Sequence, residues 1–282
     1  MVRRATRWWL LVLVTASACL AAGPVVTTDL RYKTGDDLTA YELTRCKLDV
    51  YAPADAKNAP VFVWFYGGGL TGGDKSGGGT VAMARSLAGE GFVVVVPDYR
   101  LSPKATYPAY ILDAAASIGW AHQHIAEYGG NPDRLFVGGH SAGGYLTLIV
   151  GMHPDYLKNV GVPLSAIAGL IPVSGQVMTH YTIREERGIS RYQVTADDCA
   201  PVRWVRADLP PMLILSADND MAARAEENAF LVSLLKAAGH KAVTGLCVAG
   251  RDHGSIAGKI VEPGDPARLA ILDFMRKYGT AN

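Results

Sequence analysis

The sequence predicts an α/β protein, a mainly parallel sheet covered by helices on both faces, and three observations carry that expectation. Short apolar runs such as Val61–Tyr66, Phe92–Val96 and Pro211–Ser216 are continuous rather than alternating, the pattern of strands buried on both faces. Between such runs lie segments of helical length that open near Pro and stop at Gly. The third is the stretch Leu135–Val150, LFVGGHSAGGYLTLIV, in which an apolar strand and an apolar helix face are joined across Gly139–Gly144. With 282 residues, 49% of them hydrophobic, the chain is long enough for one large domain of this class.

Residues 1–18 read as an export signal. Arg3, Arg4 and Arg7 precede the apolar run Trp8–Val14, which is too short for a comfortable membrane span, and Ala16-Ser17-Ala18 is a small-residue cleavage pattern. Cys19 follows, so the segment also resembles a bacterial lipoprotein signal, in which that cysteine is lipidated and tethers the protein to a membrane, although Ala16 stands where leucine is usual. The residues after Arg3-Arg4 do not fit a twin-arginine signal, and a membrane-anchoring first helix is the plainer alternative. The expected location is periplasmic or secreted, with lipoprotein anchoring as a variant. Export would place Cys46, Cys199 and Cys247 in an oxidising compartment, where one pair could close, and the sequence does not choose which. Their spacing lacks C-x-x-C pairs or His clusters, so no structural metal is expected. A formal charge of +1, with no basic cluster beyond the first residues, argues against nucleic acid as a partner.

The catalytic domain is expected over residues 25–280. Val25–Lys33 and Cys46–Tyr51 look like strands of an antiparallel edge with a turn at Gly35-Asp36-Asp37. Val61–Tyr66 is a buried strand that ends in Tyr66-Gly67-Gly68-Gly69, which is either a flexible loop or backbone free to bring N–H groups close to a substrate oxygen. A helix over Thr80–Ala88 and a strand over Phe92–Val96 follow, and in the next loop Asp98 and Arg100 are expected as a buried pair that shapes it. Pro108 opens a long helix to about Tyr128, on which His122 and His124 fall on different faces as surface residues. Asn131-Pro132-Asp133 turns the chain into the central strand, and Ala166–Val173 is the strand after it. Residues 174–206 break the rhythm: polar, with Tyr181, Tyr192 and Trp204, they are expected as a small lid or pocket wall over the strand ends, or else as a solvated excursion. The strand Pro211–Ser216 delivers Asp218 and Asp220, an amphipathic helix covers Ala222–Ala238, and the strand Ala242–Val248 leads to Asp252-His253-Gly254 before a closing helix from Pro266 to about Tyr278.

Ser141 sits at the centre of Gly139-His140-Ser141-Ala142-Gly143, a G-x-S-x-G pattern. Glycine two residues to either side allows a tight strand-to-helix turn that points the hydroxyl outward, and the following helix aims its free N–H groups at any negative charge formed there. A serine hydroxyl is a poor nucleophile until an imidazole takes its proton, and the imidazole needs a carboxylate to fix its tautomer. In the order serine, acid, histidine, the candidates are Ser141, Asp220 and His253. His240, just after Gly239 at a helix end, reads as a residue serving nearby carbonyls, and Asp218 as a loop-capping alternative to Asp220. The glycine loop would complete an oxyanion hole with the N–H of Ala142.

These motifs together resemble a family. Tyr66-Gly67-Gly68-Gly69, Asp98-Tyr99-Arg100-Leu101-Ser102-Pro103, Gly139-His140-Ser141-Ala142-Gly143-Gly144, Pro210-Pro211-Met212-Leu213-Ile214 with Asp220, and Arg251-Asp252-His253-Gly254-Ser255 resemble the hormone-sensitive-lipase-like and BD-FAE-like esterases over nearly all of residues 46–278. The resemblance implies the α/β-hydrolase fold with a small lid insertion, a Ser141–Asp220–His253 triad, and an oxyanion hole from the N–H groups of Gly68, Gly69 and Ala142. It implies a serine carboxylesterase for small-molecule esters that needs no metal or organic cofactor. The absence of a long N-terminal cap segment favours short-chain or small acyl groups. Amide or formamide hydrolysis of the kynurenine-formamidase kind, a small serine peptidase, and a non-catalytic hydrolase-fold binding protein are the alternatives. Tyr66 departs from the family histidine before the glycines, and Leu70 from the aromatic after them; a tyrosine hydroxyl can still hold the loop by a hydrogen bond.

Overall fold

The computed structural model describes residues 23–280; the signal segment and Cys19 lie outside them. Eight strands, β1 (Val25–Arg31), β2 (Lys47–Ala52), β3 (Ala59–Phe65), β4 (Val93–Pro97), β5 (Gly130–His140), β6 (Ile167–Val173), β7 (Met212–Asn219) and β8 (Val243–Asp252), form one sheet. Its order is β1-β2-β4-β3-β5-β6-β7-β8. The first two pairings are antiparallel and every later one is parallel, so the expected antiparallel edge and parallel body are both present. This is the α/β-hydrolase fold.

The helices among the described residues are α1 (Ala40–Arg45), α2 (Gly78–Ala88), α3 (Ala109–His124), α4 (Ala142–Met152), α5 (Tyr156–Asn159), α6 (Tyr181–Glu186), α7 (Arg224–Ala237), α8 (Ser255–Gly258) and α9 (Pro266–Tyr278). Alternate residues of β3 and β4 enter two separate cores. Val61, Val63, Phe65, Val93 and Val95 pack under α3, α4 and α7. Phe62, Trp64, Val94 and Val96 pack under α2 and α9. Every residue of α4 is buried, which explains why that stretch carries no amphipathic period.

Several boundaries differ from the expectations for physical reasons. Helix α1 interrupts what reads as a simple turn: Thr39 and Glu42 form a reciprocal capping box that starts a helix burying none of its own residues, so no apolar period announces it. Helix α3 ends at His124, and Ile125–Tyr128 tightens into a 3-10 turn closed by the left-handed Gly129. On that helix His122 and His124 are both half-buried, and His122 Nδ1 lies 3.1 Å from the Pro132 carbonyl. The pairing of β3 with β5 jumps from Gly130 to Leu135, so Asn131-Pro132-Asp133 bulges within β5 instead of preceding it.

Asp98 and Arg100 are structural, but they do not pair with each other. Asp98 accepts from the Lys75 N–H and lies 3.6 Å from Arg45, while Arg100 grips buried Asp113 through two nitrogens at 2.8 Å. None of Cys46, Cys199 and Cys247 forms a disulfide: the first two are buried at separate places, Cys199 accepting from Arg187, and Cys247 is exposed on β8. Within residues 174–206, Tyr192 is 88% exposed and walls nothing, whereas α6 reaches inward to the glycine loop.

Candidate active site

The nucleophile turn is built by close approach of backbone. A Cβ on Gly139 would lie 2.5 Å from the Phe65 carbonyl oxygen, and one on Gly143 would lie 2.0 Å from the same atom. The end of β5 and the start of α4 can therefore press against β3 only with glycine at both places. Between them Ser141 is held at φ 56° and ψ −115°, a conformation that costs a residue with a side chain about 1–3 kcal/mol. Its N–H donates to the Val173 carbonyl at 2.8 Å and its carbonyl accepts from Tyr145, so the strained residue is tied on both sides.

Three side chains from β5, β7 and β8 then meet. Ser141 Oγ is 2.8 Å from His253 Nε2, and His253 Nδ1 is 2.6 Å from Asp220 Oδ1. A carboxylate oxygen only accepts, so Nδ1 carries the proton and Nε2 is the lone-pair atom that faces the serine. Burial works to raise the Asp220 carboxyl, but hydrogen bonds from His253, the Ser174 hydroxyl and the N–H groups of Ala217 and Met221 outweigh it and hold the group well below the usual carboxylate range. Asp220 is therefore an anion wherever His253 is to act as a base.

The competing residues have other work. Asp218, fully exposed, accepts from the N–H groups of Gly250 and Arg251 and braces the loop that carries His253. His240 is buried with Nε2 3.0 Å from the Leu209 carbonyl and 3.1 Å from that of Pro210, on the segment that leads into the neighbouring strand β7.

On the other side of Ser141 lies the glycine loop. A Cβ on Gly67 would sit 3.2 Å from that of Ser141, so the loop rests directly against the nucleophile. Gly68 and Gly69 have φ 118° and 64°, and a Cβ on either would come within 2.2 Å of another atom, the Gly72 carbonyl oxygen or the Tyr181 hydroxyl. Their carbonyls are occupied: that of Gly68 accepts from Thr71 and Gly72, and that of Gly69 from Thr182 Oγ1 at 2.5 Å. Among the described residues the N–H groups of Gly68, Gly69 and Ala142 have no acceptor, the condition for donors kept for a developing oxyanion.

Tyr66 anchors this loop. Its ring stacks on Tyr99 at 4.6 Å, its carbonyl accepts from the Tyr99 hydroxyl, and its own hydroxyl accepts from Arg45 at 2.6 Å. Arg45 also reaches the Gly73 carbonyl at 2.5 Å, so one guanidinium closes both ends of the glycine turn. Sequence reasoning passed over Arg45, Thr182, Ser174 and the side chain of His140, whose Nε2 is 2.6 Å from the His253 carbonyl. No local pattern marks them, because each partner lies on a distant element.

Comparison with known proteins agrees with this geometry. BD-FAE matches residues 48–163 and the prolyl oligopeptidase family matches residues 113–278. The probable carboxylic ester hydrolase LipM of Mycobacterium tuberculosis is 30% identical over 61% of this chain and 44% of its own length. Esterase LipC of the same organism is 27% identical over 73% of this chain and 56% of its own. The chain thus spans about half the length of the curated relatives it matches. Among solved structures, a truncated form of carbohydrate esterase from gut microbiota shares the fold with a TM-score of 0.75 at 21% identity, covering 92% of this chain and 100% of that one. The apo form of Thermogutta terrifontis esterase 2 aligns with a TM-score of 0.64 at 25% identity, over 90% of this chain and 92% of its own. With an elbow serine after β5, an acid after β7 and a histidine after β8, all inside the matched residues, the chain belongs to the prolyl oligopeptidase family, in the α/β-hydrolase group that also holds the BD-FAE-like and hormone-sensitive-lipase-like esterases.

Proposed function

We propose that this chain is a serine carboxylic-ester hydrolase for small acyl groups, working through an acyl-serine intermediate. The observation that carries the reading is the unbroken run of hydrogen bonds from Asp220 through His253 to Ser141, set beside three main-chain donors that have no acceptor among the described residues. In the first half-reaction His253 Nε2 takes the Ser141 proton as Oγ bonds to the ester carbonyl carbon, and the carbonyl oxygen becomes an oxyanion among the N–H groups of Gly68, Gly69 and Ala142. Collapse expels the alcohol, which leaves with the proton from Nε2. Water then repeats the sequence on the acyl-serine, and Ser141 recovers its proton as the acid departs.

The preference for small acyl groups is supported by what surrounds the loop. The insertion 174–206 supplies one six-residue helix and a 3-10 turn, and it sets the Tyr181 hydroxyl against Gly69 beside the donors. A panel of chromogenic esters of graded chain length tests the reading. Acetyl and butyryl esters are expected to turn over fastest, and Ser141→Ala to lower kcat by about 10⁴-fold or more. Faster cleavage of long-chain esters would overturn the acyl preference, and an active Ser141→Ala protein would overturn the mechanism. The prolyl oligopeptidase match favours amide hydrolysis as a second reading, since the same triad serves both reactions. Turnover of matched amides above that of esters would select it.

A further inference from the structure

His253 stands on a loop at the periphery. The loop follows β8, the last strand of the sheet, most of whose residues are exposed or half-exposed. The loop is braced from the β7 side by Asp218 and internally by Asp252, which accepts from the N–H groups of Gly254 and Ser255. Those bonds fix its shape and its attachment to β7. They do not fix its distance from the nucleophile on β5, two strands further in.

His140, immediately before Ser141, spans that gap. Its Nε2 lies 2.6 Å from the His253 main-chain oxygen, and its ring packs on the His253 ring with centroids 4.7 Å apart. A carbonyl only accepts, so Nε2 bears the hydrogen and donates it. Apart from the Ser141–His253 contact itself, this is the one hydrogen bond among the described residues that joins the end of β5 to the base loop. His140 also lines a cavity of about 140 Å³ beside Thr80 and Ala257, and its Nδ1 lies against Gly67, so the bond to the His253 carbonyl is the one hydrogen bond the imidazole makes among the described residues.

We propose that His140 is a positioning residue: it ties the loop carrying the base to the turn carrying the nucleophile, and so keeps Nε2 of His253 at hydrogen-bond distance from Ser141 Oγ. Neutrality of His140 is part of the device. Burial, and next the charge His253 carries when protonated, push its imidazole down to about 4. Arg224 adds to that depression, while Asp220 and the hydrogen bond to the His253 carbonyl oppose it. A neutral neighbour fixes the base without contributing a second positive charge that would resist its protonation during catalysis.

The inference rests on the hydrolase reading above, and three variants separate the two. His140→Leu keeps bulk and removes the donor, His140→Gln returns an N–H donor at similar reach, and Ser141→Ala reports on the mechanism. On the best ester of the panel, His140→Leu is expected to lose about ten- to a hundredfold in kcat at nearly unchanged KM, the range in which displacement of a catalytic group by about an ångström falls. His140→Gln is expected to recover most of that loss, and both variants to fold with far-ultraviolet circular dichroism like that of the parent. Reaction of Ser141 with a fluorophosphonate should slow in parallel with kcat. Full activity in His140→Leu, or equal impairment of the Leu and Gln variants, would overturn the positioning role while leaving the hydrolase reading intact. A parent protein that turns over no ester and leaves Ser141 unlabelled would instead remove the reading on which it rests.

Discussion

A carboxylate that accepts four hydrogen bonds tolerates the loss of one unevenly, depending on which partner leaves. Asp220 Oδ1 takes bonds from His253 and the Met221 N–H, and Oδ2 from the Ser174 hydroxyl and the Ala217 N–H. Ser174, itself fully buried at φ 50°, is the one side-chain donor besides the base, and its carbonyl is held by Arg224. Ser174→Ala leaves a buried charge one bond short, a type of loss worth about 1.5–3 kcal/mol. The carboxylate then turns more freely about its side chain. The expected outcome is a fall of about tenfold or more in kcat/KM for the ester, measured with the parent under the same conditions; unchanged activity would show that the two N–H donors suffice. That Ser141, Asp220 and His253 meet was legible residue by residue, since order along the chain and strand-end position exclude most histidines and acids. Ser174 was not, because it lies 46 residues from Asp220 and nothing local distinguishes it from any other serine.

At the scale of elements, the site depends on how short segments are clamped to long ones. Helix α6 has six residues, too few to be stable alone, and is anchored by Gln176 accepting from the Tyr181 N–H and by Thr182 donating to Gly69. The second bond orients a peptide of the glycine loop, so on the proposed reading α6 would act on the reaction through the backbone of Gly69. Thr182→Val keeps the shape and removes the hydroxyl. We expect kcat to drop about five- to tenfold, with KM and thermal stability altered little, because a misaimed donor costs part of the roughly 2.7–4 kcal/mol that a lost one does. A rise in KM alone would place α6 in substrate binding instead. The strands of this fold were readable in the sequence because β3, β4 and β5 are buried on both sides and so carry unbroken apolar runs. Short helices such as α1 and α6 were not, since they are set by caps and by contacts with remote loops, neither of which leaves an apolar period.

For the molecule as a whole, two histidines, half-buried His140 and buried His180, contribute to the response to acid. His140 is pushed down to about 4 by burial and then by the charge on His253, and His180 is held well below its ordinary value by burial and then by Arg224, Arg184 and Arg191. Unfolded, each would titrate near 6.5. The unfolded chain therefore binds more protons than the native one across that interval, and stability must fall as pH drops. The contribution is fully present above about pH 6.5 and is lost progressively toward pH 4. Urea midpoints are expected to decline between pH 7 and pH 5, less steeply in His140→Gln than in the parent; parallel slopes would show that His140 protonates freely in the native state. None of this was visible in the sequence, where His140 is only a variable position of a five-residue motif and His180 the lone histidine of an irregular segment.

The sheet also imposes a calendar. The serine lies on an interior strand and its base 112 residues later, beyond the outermost one. A ribosome thus delivers the elbow, its glycines and the strand behind them well before the imidazole of His253 exists to accept the serine proton. Until β8 docks, Ser141 is an ordinary alcohol on a nearly finished scaffold. On the proposed hydrolase reading, a nascent chain that stops short of β8 holds the nucleophile without its base, and catalysis has to wait for the last strand.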